Sequence, residues 1–180
     1  MNFCSHCGSR HLLFIVPEGD NRPRYVCSDC QTIHYQNPRM VVGCLPLWEG
    51  QILLCRRAIE PRSGYWNLPA GYLENGETTQ GGAMRETIEE AGAEVDIIRP
   101  HCLYNLPQIN QVYLFFLARM TSPRLEIGPE SLEARLFAPQ EVPYEEMAFT
   151  SSTFAIQKYL EFRGTAFEGV HLGEYWHDKR

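Results

Sequence analysis

The sequence predicts an α/β protein: one larger domain of strands and helices, preceded by a small metal-stapled segment. Three observations carry that expectation. Two Cys-x-x-Cys pairs crowd the N-terminus between Cys4 and Cys30. Beyond them, apolar runs of strand length alternate with stretches of helical periodicity. At 180 residues, without a repeat or low-complexity tract, the chain suffices for one ordinary domain and a small appendage.

Composition sets the limits. A hydrophobic content of 44% with 12% aromatics belongs to a globular chain rather than a disordered one. The net charge of −6 disfavours a polyanion-binding surface, so no nucleic-acid partner is expected and an anionic ligand needs local basic residues or metal. No window reaches the roughly 18 apolar residues of a membrane span, and no secretory apolar core is seen at the N-terminus. A soluble cytoplasmic protein without membrane partners is the expectation.

The first element is the pair of knuckles "FCSHCG" and "VCSDCQ". The nineteen residues between Cys7 and Cys27 suit four thiolates, from Cys4, Cys7, Cys27 and Cys30, around one tetrahedral zinc. A segment of this size holds little core, so the metal supplies much of its folding energy. His6 and His34 are bystanders, because four cysteines complete the sphere. Disulfides are disfavoured by the odd total of seven cysteines, and Cys44, Cys55 and Cys102 sit among apolar neighbours as core residues. Arg10, Arg22 and Arg24 balance Glu18, Asp20 and Asp29, so this ribbon over residues 1–36 is a poor phosphate binder. A structural or dimerising appendage is the better reading, with a homodimer as its natural partner.

The larger domain occupies residues 37–180, after a linker at "YQNPR". "MVVGCLPLW" and "QILLCRR" form a strand pair joined by a tight turn at Glu49 and Gly50. "SGYWNLPAGYLENGE" is a loop rich in Gly, Pro and Asn. A helix runs from Thr79 to Ala91, with Ala83, Thr87 and Ala91 on its buried face and Gly92 to end it. Gly81 and Gly82 each cost that helix about 1 kcal/mol against alanine, which implies close packing against it. "QVYLFFLARM" and "LEARLFAP" are further strands. "TSSTFAIQKYLEFRG" is a C-terminal helix with Thr150 as its N-cap.

Glu86, Glu89 and Glu90 stand at i, i+3 and i+4 on the first helix, so their carboxylates share a face and can converge. A solvated acidic face is the ordinary outcome of a charge run. Three same-face carboxylates behind a Gly-Pro loop instead suit a hard divalent cation, with magnesium or manganese the natural choice.

The spacing Gly71, Glu77, Arg85-Glu86, Glu89-Glu90, Gly92 resembles the Nudix box, the signature of hydrolases that cleave a nucleoside diphosphate linked to another moiety. Thr87 and Ala93 replace larger aliphatic residues of that signature. The "YWNLPAG" lead-in and the succession of elements extend the resemblance over roughly residues 38–163. It implies an α/β/α sandwich with a mixed sheet. It further implies that Glu86 and Glu90 are principal metal ligands, with Glu89 and the Ala70 carbonyl additional ones. Glu77 and Arg85 would pair to brace loop against helix. The reaction implied is attack of an activated water on a pyrophosphate phosphorus. For the base, "EIGPESLEARLF" offers Glu126, Glu130 and Glu133, of which Glu130 is preferred beside a mobile tip at Gly128-Pro129.

The substrate is read from what surrounds the box. Zinc-ribbon members of the family include NADH pyrophosphatases, whose Trp-Pro-Phe-like run is replaced here by "LYNLPQINQVYLFF". Pro107, fourteen residues past Ala93, resembles the ADP-ribose-cleaving group. An ADP-containing nucleotide, with FAD and ADP-ribose leading and NADH as alternative, is therefore the expected substrate. Tyr65, Trp66, Tyr72, Tyr104 and Tyr113 are aromatic residues that could stack on its rings, and Trp66 and Tyr72, in the loop entering the box, lead. Of Arg56 and Arg57, which end a strand near this loop, one would meet the pyrophosphate and the other be solvated; Arg56 is the candidate. A nucleotide sensor that binds without cutting is the competing class, and the complete set of charged box residues argues against it.

Overall fold

The computed structural model describes residues 1–176. They form two compact units, Met1–Asn37 and the unit that begins at Pro38.

The first unit is a three-stranded antiparallel sheet in the order β1 (Leu12–Ile15), β2 (Arg24–Cys27) and β3 (Ile33–His34). Each Cys-x-x-Cys pair closes a tight turn. The Gly8 amide donates to the Cys4 carbonyl at 2.9 Å, and the Gln31 amide to the Cys27 carbonyl at 2.9 Å. Gly8 and Gln31 have φ of 78° and 60°, the left-handed conformation that lets each knuckle turn back. Little apolar surface is buried: Val26, Cys4 and Cys27 are, whereas Leu13, Phe14 and Ile15 lie exposed.

The second unit is built on an eight-stranded mixed sheet. In chain order its elements are β4 (Arg39–Trp48), β5 (Gln51–Arg57), β6 (Trp66–Asn67), β7 (Ala70–Tyr72), α1 (Thr79–Ala91), β8 (Val95–Leu106), β9 (Gln111–Met120), β10 (Ser131–Phe137), α2 (Thr150–Phe162) and β11 (His171–Glu174). The main path is β10-β5-β4-β9-β8-β11, with β6 on β5 and β7 on β4. The β4–β9 and β8–β11 pairs are parallel. Glu49 and Gly50, at φ 47° and 81°, make the two-residue turn of the β4–β5 hairpin.

Side chains on the central strands alternate between two cores. Val42, Cys44, Leu53, Cys55 and Phe116 pack with Ala83 and Ala91 of α1. Leu45, Ile52, Leu54, Phe115 and Cys102 pack with Ala155 and Ile156 of α2. A sheet covered on both faces explains why β4, β5 and β9 read as continuous apolar runs. This is the expected α/β/α sandwich with a mixed sheet, behind a ribbon with four neighbouring cysteines.

One strand escapes the sequence, and one local expectation is revised. Strand β8 gives no alternating signal because Pro100 interrupts it; the fold absorbs the proline at register shifts between Ile97 and Arg99 and between Pro100 and Cys102. Thr150 is the first residue of α2, and the N-cap is Phe149, which makes no side-chain capping bond. Among the described residues no helix is long and apolar enough to cross a membrane.

Candidate active site

The loop between β7 and α1 and the polar face of α1 bring the charged residues of the box together. Thr78 caps the helix, its hydroxyl accepting from the Gly81 amide at 3.0 Å. Gly92 ends it in the left-handed conformation, φ 63°. Gly82 is small for a reason outside the helix: a Cβ there would lie 2.6 Å from Glu77 Oε1 and 3.0 Å from Val42 Cγ2.

Arg85 organises the acidic groups. Its Nη2 and Nε bond the two oxygens of Glu77 at 2.9 and 3.1 Å. Its Nη1 bonds Glu86 Oε1 at 2.7 Å and Glu89 Oε2 at 2.9 Å. Hydrogen bonds from Arg85 and the Glu74 amide hold the Glu77 carboxyl below its ordinary range. Three carboxylates on one guanidinium answer the electrostatic problem posed by the sequence. Glu86 and Glu89 thus share one guanidinium nitrogen, while Glu90 stands apart from it.

Glu90 lies deeper, 7% exposed, and its Oε1 is 3.5 Å from the Ala70 amide. Burial pushes its carboxyl up to about 8, and burial likewise raises Glu86. A Cβ on Gly71 would overlap the Glu86 carboxylate, so a side chain there would displace that group. Glu90, buried with only the distant Ala70 amide as donor, and half-buried Glu86 offer carboxylate oxygens of the kind that fit a hard divalent cation. Among the described residues, the one group of three or more Cys, His, Asp or Glu with ligand atoms all within 4.8 Å of one another is Cys4, Cys7, Cys27 and Cys30. Four sulfurs there suit zinc. His34 stands closer than a bystander, with Nε2 3.3 Å from Cys4 Sγ.

Glu86, Glu89, Glu90 and Glu130 line a cavity of about 600 Å³, together with the cations Arg57 and Arg85. Tyr72, Ile109, Tyr113 and Phe149 give it an apolar and aromatic portion. Gln111 Nε2 donates to the Tyr72 hydroxyl at 2.8 Å, and the Tyr113 hydroxyl donates to Gln111 Oε1 at 3.0 Å. Tyr72 and Tyr113 are among the ring-stacking candidates of the sequence, whereas Ile109, Phe149 and Gln111 went unread because no local spacing marks them.

Two leading candidates fall outside the cavity. Arg56 turns its Nε to the Gly64 carbonyl at 2.8 Å, and its neighbour Arg57 lines the cavity instead, since successive strand residues face opposite sides. Arg57 is held by the Pro61 carbonyl at 3.0 Å and the Phe149 ring at 5.1 Å. Trp66 is 6% exposed and packs edge-on against Phe137, in the core beneath α2.

The NUDIX domain profile matches residues 37–156, and the zinc-ribbon profile described as Nudix N-terminal matches residues 2–36. The chain belongs to the Nudix family. As a Nudix hydrolase it is similar over nearly its whole length to a NUDIX hydrolase from Nitrosomonas europaea. That structure is 48% identical at a TM-score of 0.92, covering 97% of this chain and 99% of that one. A protein named NAD-capped RNA hydrolase NudC from Vibrio parahaemolyticus is 32% identical over 79% of this chain, which spans 53% of that relative's length. An ADP-ribose pyrophosphatase from Streptococcus suis shares the fold, at 20% identity and a TM-score of 0.60 over 77% of this chain and 100% of that one.

Proposed function

We propose that this Nudix hydrolase cleaves the diphosphate linkage of an ADP-containing dinucleotide or nucleotide sugar and releases AMP. The observation that carries the reading is the cavity itself, in which six glutamates, among them Glu86, Glu89, Glu90 and Glu130, and the cations Arg57 and Arg85 share walls with Tyr72, Ile109, Tyr113 and Phe149. A volume of about 600 Å³ with a polar end and an apolar end suits a ligand that joins phosphates to a planar ring.

Glu86, Glu89, Glu90 and the Ala70 carbonyl would hold magnesium or manganese. When bound, such an ion supplies charge neutralisation at the phosphates and a lowered pKa for water. Glu130, on the loop before β10, is the group to take a proton from the attacking water. Arg57 meets phosphate charge, anchored so that little side-chain freedom is lost on binding. Tyr72 offers its ring to a base, with its hydroxyl fixed by Gln111. Glu77 and Arg85 brace the loop against the helix. Zinc on the four cysteines is structural.

FAD and ADP-ribose are the substrates favoured by the tract after the box. NADH, or an NAD cap on RNA, is a second reading favoured by the relatives that bear the name NAD-capped RNA hydrolase. Under that reading nucleic acid is a partner through its capped end, despite the acidic net charge. The test is a panel of FAD, ADP-ribose, NADH, NAD-capped RNA and nucleoside triphosphates with magnesium and with manganese. AMP from FAD, ADP-ribose, NADH or NAD-capped RNA with the highest kcat/KM supports the proposal, and the rank order chooses between the readings. Pyrophosphate released from triphosphates as the dominant reaction would refute it.

A further inference from the structure

The loop that carries Glu130 is fastened to the C-terminal end of the acidic helix. A helix ends with carbonyls that lack intrahelical partners. Here the Glu126 amide donates to the Ala91 carbonyl at 2.7 Å. A Cβ on Gly92 would lie 2.6 to 2.8 Å from Glu126 atoms, so helix end and loop are in close backbone contact. Two residues further on, Gly128 approaches so closely that a Cβ would overlap the Glu89 carbonyl oxygen and lie 3.1 Å from its carbon. The loop then closes through the Ser131 amide on the Gly128 carbonyl at 3.2 Å, and the Glu130 carbonyl accepts from the Ala58 amide at 2.8 Å. Gly128 is thus a docking point rather than the mobile tip its sequence suggests.

We propose that Gly128 is a positioning residue, which sets the distance between the Glu130 carboxylate and the carboxylates of α1 by letting the loop seat on Glu89. The inference rests on the reading of Glu130 as the proton acceptor. Gly128 does not have a positive φ, so alanine there meets no backbone prohibition. Its one cost is the collision with a helix carbonyl, which neither a side-chain rotation nor a flexible neighbour can relieve. The loop must lift, and Glu130 with it.

The test compares full-length Gly128→Ala, Glu130→Gln and the double variant, with ADP-ribose and NADH as substrates. Gly128→Ala is expected to lower kcat about tenfold to a hundredfold with KM unchanged, as a displacement near 1 Å does. The double variant is expected to be no slower than Glu130→Gln, because the loop then carries nothing to misplace. Wild-type kcat in Gly128→Ala, or losses that multiply in the double variant, overturns the inference. Wild-type kcat in Glu130→Gln is a distinct result; it removes Glu130 from the chemistry and the inference with it. Should Gly128→Ala not fold, hydrogen exchange in the wild type decides. The Glu126 amide is expected to exchange as slowly as the Gly92 amide bonded to Ile88, and fast exchange at Glu126 overturns the docking.

Discussion

Arg85 grips Glu77 with two nitrogens at once, Nη2 on one carboxylate oxygen at 2.9 Å and Nε on the other at 3.1 Å. The pair joins the loop before α1 to the helix itself, and the remaining Nη1 reaches Glu86 and Glu89. Lysine has one point charge and no planar fork, so it cannot serve three carboxylates in this arrangement. Arg85→Lys should therefore lower kcat/KM and the melting temperature together. A melting curve and Michaelis parameters measured on one preparation check this; a variant equal to wild type in both would show that the brace is dispensable.

Glu90 separates stability from turnover. Its carboxyl is buried and raised to about 8, so the metal-free protein gains little from its charge. Glu90→Gln keeps the shape and removes the anion that the proposed metal site requires. Turnover should fall by at least about 100-fold, the upper range for damage to the surroundings of a metal site. The melting temperature without metal should stay within about 3 °C of wild type, roughly the shift that 1 kcal/mol produces in a domain of this size. Differential scanning calorimetry beside an AMP-release assay would expose the opposite pattern, a destabilised but active enzyme.

The legible part of this molecule is the part encoded at short range. Cysteine spacing marks both zinc knuckles, and the box spacing marks α1, its acidic face and the residues that join at Arg85. What the sequence conceals depends on partners far along the chain. Whether Arg56 or Arg57 reaches the cavity is a question of strand parity, set by the neighbours of β5 rather than by the residues themselves. Trp66 reads as a ring-stacking residue in a glycine-rich loop, yet the fold gives that loop a two-residue strand and buries the indole against Phe137. Strand β8 is hidden by Pro100, which is tolerable only because bulges flank it. Gly128-Pro129 suggests mobility until the end of α1 is seen beneath it.

His101 provides a pH-dependent stability. It is fully buried on β8, bonds the Ala155 carbonyl through Nε2 at 2.8 Å, and faces His171 at a ring separation of 5.4 Å. Burial lowers it to about 4 from an ordinary 6.5, and burial also lowers His171. A depressed histidine binds its proton more readily in the unfolded chain. Its contribution is complete above about pH 6.5 and is lost as pH falls towards 4, on the order of 3 kcal/mol at most. Chemical denaturation at a series of pH values should show a shallower loss over this window in His101→Gln than in the wild type. Parallel curves would mean that His101 titrates normally.

The ribbon should hold one zinc per chain and depend on it. Its sheet buries few apolar side chains, leaving Leu13, Phe14 and Ile15 exposed, so thiolate ligation must supply stabilisation that packing does not. Elemental analysis of purified protein should give one equivalent. Cys4→Ser should lose the metal and render residues 1–36 susceptible to limited proteolysis. Protection of that segment without zinc would show that the sheet sustains itself.

The sheet of the second unit divides its interior into chambers that do not touch. Odd and even positions along β4, β5 and β9 serve opposite sides, one supporting the acidic helix and the other supporting α2. A change of volume at Leu54 or Ile156 is felt by α2, while the backing of α1 by Leu53 and Phe116 is left in place. Substitutions that repack the α2 side should therefore leave the backing of α1 intact.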